Sequence, residues 1–147
     1  MSSFARYAPT AARVVLGGIF FVFGLNGFLQ FLSSPPIPPR ALAFIAALGA
    51  TGYMFPIIKG TEVIAGALLL SNRYVPLALT LLAPIIVNIT LFHTILAPSL
   101  PLTLLILAAE IFLAWSYRKA FAPMLARRVT PDTAPSRDEE LEHAPAE

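Results

Sequence analysis

Two charges stand three residues apart in an otherwise apolar run. In FPIIKGTEVIAG, residues 55–66, Lys59 and Glu62 are the only charged residues between positions 41 and 70. On a helix that spacing puts both on one face, where they can pair. Glu110 stands between the uncharged stretches 74–109 and 111–117. No base lies on its own helix, so it is protonated or meets Lys59 or His93 from another helix. Lys59 can therefore meet either Glu62 or Glu110. Asn26, Gln30, Asn88 and His93 are the remaining strong hydrogen-bonding side chains in apolar surroundings. Groups of these types bind carbonyls and move protons. Each also has a plain structural role open to it: a snorkelling lysine, an ion pair, or amide links between helices.

The surroundings decide what kind of molecule holds these groups. The chain has 147 residues, with 57% hydrophobic and 12% charged, about half the charge usual in a soluble domain. One soluble core of this size could not bury so many apolar blocks, whereas a bilayer can, at roughly 20 apolar residues per span. A polytopic membrane protein follows, with the lipid bilayer as its first partner. Cysteine is absent, which excludes disulfides, thiolate metal sites and dithiol redox chemistry. There is no metal-ligand spacing motif either, so no metal site is expected. Residues 1–128 carry nine Lys/Arg against Glu62 and Glu110, a net +7, and residues 129–147 carry Arg137 against six acids, a net −5. Neither half suggests nucleic acid.

Breaker residues divide the chain. The first span is expected over residues 11–32, where Gly17, Gly24 and Gly27 form a stripe suited to close helix packing. Its uncharged run is too long for the core of a cleaved signal peptide, and no A-x-A-like site follows. SSPPIPPR, residues 33–40, ends it. Residues 41–72 are too many for one span and too few for two. They divide at Gly49 and Gly52 into a short interfacial helix, 41–48, and a second span, 53–71. A re-entrant hairpin is the alternative. The third span is expected over 75–97 and the fourth over 101–117, with Trp115 and Tyr117 as an aromatic belt. The fold class is thus an all-α membrane protein, a four-helix bundle over residues 1–128. Residues 129–147 read as a disordered acidic cytoplasmic tail.

Charge and depth agree. One side collects Arg6, Arg13, Arg73, Arg118, Lys119, Arg127 and Arg128, and the other only Arg40, so both termini are cytoplasmic. At ~1.5 Å per residue, Lys59 and Asn26 lie about 9 Å in from the outer end, and Glu62, Asn88 and Glu110 about 13 Å. His93 lies about 6 Å in and Gln30 about 3 Å. All four spans contribute to one band, which favours a single polar pocket opening outward. An ionisable group at such a depth is a functional candidate by default.

The segment KGTEVIAGALLLSNRYVPLALTLLAPIIVNITLFHTILAPSLP, residues 59–101, resembles the DoxX family of small bacterial membrane proteins. The likeness rests on Lys59 and Glu62, Gly66, Arg73, Pro76–Leu79, Leu82–Pro84, Asn88–Ile89 and Phe92–His93. Arg13, Gly17, Phe20 and Gly24 fit the family's first helix, and LAWSYRKAF, residues 113–121, the last. Asn26 and Gln30 stand where such proteins often place a Lys or Glu. The resemblance implies a four-helix bundle in the bacterial inner membrane and an association with respiratory and sulfur redox chemistry.

Three functions compete. The first is a pocket of Lys59, Glu62, Asn88, His93, Glu110, Asn26 and Gln30 that binds a quinone or similar amphiphile. The chain would then be at most one subunit of a quinone-linked oxidoreductase, with no catalytic residue assigned. The second is a non-enzymatic scaffold or assembly helper for a partner protein. The third is a small proton-linked transporter working as a homo-oligomer.

Overall fold

A computed structural model describes residues 3–33 and 36–131 of the protein. Among these, all regular structure is helical. Helix α1 spans Ser3–Leu29, α2 Pro39–Ala50, α3 Met54–Leu70 and α4 Val75–Leu91. A π-helical turn, Phe92–Leu96, prolongs α4. Helix α5 spans Leu100–Ser116, and α6, Arg118–Phe121, runs into a 3₁₀ turn at Ala122–Leu125. Residues 129–131 carry no regular structure, and the rest of the expected acidic tail lies outside the described residues.

The tightest seam joins α1 to α3, and glycines make it possible. A methyl group on Gly66 would lie 2.5 Å from the backbone nitrogen of Phe21, and one on Gly17 would lie 2.9 Å from Leu69 Cβ. Gly24 faces Val63 in the same way, at 2.8 Å. The backbones therefore approach as only small residues allow. Arg13 closes the seam at one end. Its buried guanidinium donates to the carbonyl oxygens of Leu69 and Leu70 in the last turn of α3.

Each end of the helices has a local cause. At Gln30 the backbone turns left-handed, with φ +50°, and α1 stops. Pro39 opens α2, where a missing N–H costs nothing. Between α2 and α3 the axis bends by 94°. Gly52 supplies the required φ of +74°. The Thr51 hydroxyl accepts from the Met54 N–H at 3.0 Å and so satisfies the first free donor of α3. Asn72 and Tyr74, at φ +57° and +50°, turn α3 into α4. Helix α5 packs on α1 and α4 and closes a core of Leu16, Phe20, Leu69, Leu82, Ile86 and Leu113.

Large apolar side chains also face outward along every long helix, among them Val22, Ile64, Val87 and Ile111. Two segments, Tyr7–Leu29 and Val75–Leu96, are each long and apolar enough to cross a membrane. Counting the bent pairs α2–α3 and α5–α6 raises the number to as many as four. Helices α3 and α5 have 17 residues each, about 25 Å, the short end of the range for a span.

Candidate functional site

Four helices line an open cavity of about 710 Å³. Phe23, Asn26 and Gly27 of α1 form one wall, Lys59 and Glu62 of α3 the next, and Ile85 and Asn88 of α4 the third. Helix α2 roofs it with Phe44, Ile45 and Leu48. The 94° elbow is what brings α2 across the top, and the Phe44 ring meets Phe92 at 5.9 Å between centroids.

Within these apolar walls Lys59 Nζ donates to Glu62 Oε2 at 2.8 Å. The carboxylate is buried and the lysine half-buried, with its ammonium 5.8 Å from the centre of the Phe55 ring. Gly27 fixes the route of the lysine. A methyl group there would lie 2.5 Å from Lys59 Cγ and Cδ, so the glycine leaves the groove in which the stem runs. Asn26 has a separate task. Its Oδ1 accepts from the Leu32 N–H at 2.7 Å and draws the chain after α1 back over the cavity, where Gln30, Leu32 and Ile37 line it. Among the described residues the side-chain amides of Gln30 and Asn88 have no protein partner, which leaves both free to meet a ligand.

The structure thus brings five of the seven expected residues to one cavity: Asn26, Gln30, Lys59, Glu62 and Asn88. His93 and Glu110 lie elsewhere. His93 sits in the π-helical turn, with Nδ1 3.2 Å from the Ala97 carbonyl oxygen and its ring edge-on to Phe92. Phe92 lines the cavity and His93, one residue on, is rotated off it. Glu110 is buried on the face of α5 that carries Thr103, Ile106 and Leu113, and its Oε2 has no partner among the described residues. Of the two pairings open to Lys59, the structure shows Glu62.

Reasoning from sequence selects polar groups and so passes over the aromatic walls, Phe23, Phe44, Phe55 and Phe92. Their signal is visible only once 41–48 is recognised as a roof. It also counts Arg13 only as a charge, and does not foresee that the side chain is a buried clasp on the end of α3. Arginine one turn before Gly17, at the start of the glycine stripe, is the signal for that role.

Chemically the site can hold a molecule with a hydrogen-bonding head and an apolar body. The ion pair carries no net charge. An anionic ligand would have to compete with Glu62 for the lysine, whereas a neutral carbonyl needs only one of the ammonium's remaining N–H groups. The cavity lies in the usual range for small-molecule sites, apolar with a few convergent polar groups. No protein-family model matches the chain, and neither a curated protein nor a solved structure matches it.

Proposed function

We propose that this is a DoxX-like four-span membrane protein that binds a neutral, carbonyl-bearing amphiphile, a quinone above all, in the cavity among α1–α4. The observation that carries this reading is the self-neutralised Lys59–Glu62 pair set in apolar walls. Lys59 holds the carbonyl oxygen, and the amides of Gln30 and Asn88 serve the rest of the headgroup. Glu62 holds the lysine in place and is the acid–base group nearest to it. The chain has no thiol set of its own, so any redox role would need a partner subunit or the quinone itself to carry the electrons.

The α3–α4 turn with Arg73 and the segment after α5 with Arg118, Lys119, Arg127 and Arg128 share one end of the helices, and Arg40 lies at the other. By the bias of short loops, the first end is cytoplasmic, together with both termini, in a bacterial inner membrane.

The test is direct binding. Full-length protein in nanodiscs is titrated with a radiolabelled short-chain benzoquinone, as wild type and as Glu62→Gln. Saturable binding that weakens roughly tenfold in the variant, with helicity unchanged, is the expected result. Unsaturable partition, equal in both, would overturn the reading.

A further inference from the structure

The other end of the molecule carries a second arrangement that the cavity does not use. At Tyr117 the axis bends by 72° between α5 and the segment Arg118–Leu125. Tyr117 and Phe121 pack back against the core, so the segment is held across the end of the bundle. Its outward side mixes two kinds of group. Arg118, Lys119, Arg127 and Arg128 are exposed. So are Trp115, Met124, Leu125 and Val129, the last two by more than three-quarters of their surface. The Arg118 guanidinium lies 5.1 Å from the centre of the Trp115 ring and donates to the Trp115 carbonyl oxygen at 3.0 Å. Arg73 is exposed in the turn at the same end.

Exposed cations beside exposed large apolar groups would be a poor surface in water. It is the pattern of a segment lying in a membrane interface, with apolar side chains at the acyl boundary and cations at the headgroups. No acidic residue stands among the described residues after Glu110, so nothing described on this segment neutralises it. We infer that Trp115–Val129 is an interfacial anchor that gathers anionic phospholipid headgroups of the leaflet it lies on, with Arg118, Lys119, Arg127 and Arg128 as their ligands. The occupant is lipid because the charge is complementary and because the apolar groups need acyl chain rather than a polar partner. The inference rests on the membrane reading above and is independent of the cavity.

Trp115 is the only tryptophan in the chain, so its fluorescence reports on this place alone. The full-length protein is reconstituted in vesicles containing equal fractions of phosphatidylcholine and phosphatidylglycerol, with one or the other brominated. Brominated phosphatidylglycerol should quench Trp115 about threefold more effectively than brominated phosphatidylcholine, and about 1 M salt should reduce the difference. Replacing Arg118, Lys119, Arg127 and Arg128 by Gln should abolish the preference while both lipids still quench. Equal quenching of the wild type by the two lipids would overturn the inference and leave the membrane reading standing. The absence of quenching by either lipid, with the protein left outside the vesicles, would overturn the membrane reading as well. A preference that survives the fourfold substitution would show that other residues hold the headgroups.

Discussion

Glu62 and Glu110 are both carboxyl groups buried in the middle of apolar helices, and they differ in what surrounds them. Glu62 lies beside a cavity and accepts from Lys59 at 2.8 Å, and the lysine stem runs through a groove opened by Gly27. Glu110 lies against a packed core with one oxygen unpartnered. Two helices cooperate to place the first carboxylate, α3 with Lys59 and α1 with Gly27, and no described side chain serves that oxygen of the second. Burial alone is therefore a weak guide to function, and an arranged neighbourhood is a better one.

The largest effect expected from this contrast is at Lys59. Lys59→Met leaves Glu62 buried without its partner and should cost about 3 kcal/mol, because stranding one member of a buried pair is worse than removing both. Unfolding of the purified protein in mixed detergent would show it, and the double variant Lys59→Met, Glu62→Leu should recover most of the loss. A single variant as stable as the wild type would remove the distinction between the two carboxyl groups.

Gly27→Ala should have a smaller effect. The added methyl group meets the flexible stem of Lys59, which can shift, so the cost should be about 1 kcal/mol. Benzoquinone affinity should fall more than stability does, since the ammonium moves with the stem. Equal loss in both measurements would mean that the groove serves packing only.

The smallest change is at Glu110. Glu110→Leu removes a polar group that lacks a described partner and fills the same space, so stability should be unchanged or rise by up to about 1 kcal/mol. Benzoquinone binding should stay the same. A clear loss of binding would bring α5 into the site and dissolve the comparison.

The same two positions show what could be read from sequence. Depth along a helix follows from a fixed rise per residue, and the common depth of Lys59, Glu62, Asn26 and Asn88 was legible because they lie on regular helices. Direction around the axis was not, because it depends on which neighbour a helix packs against. Glu110 has the right depth and the wrong side, since α5 packs on α1 and α4 and adds nothing to the cavity wall. His93 fails for a local reason: the π-helical turn at Phe92–Leu96 breaks the regular progression at that point. The break at 51–53 was marked by Gly52, and α2 extends to Pro39 because proline is tolerated in a first turn. The start of α1 at Ser3, ahead of Pro9, was hidden because an interior proline removes a hydrogen bond and crowds the carbonyl four residues back, so that it reads as a helix boundary.

Arg13 has a consequence for how the protein is made. It leaves the ribosome 56 residues before Leu69, whose carbonyl oxygen receives its guanidinium. Until that point the first helix has a cation at Arg13 and no clasp for it. The packing of α1 on α3 is locked when the far end of α3 arrives, after the roof helix α2 has been synthesised and before α4, which supplies the third wall of the cavity. A chain cut short before Leu69 would carry its first helix unlatched, and limited proteolysis of such a truncation should cut α1 faster than in the full chain.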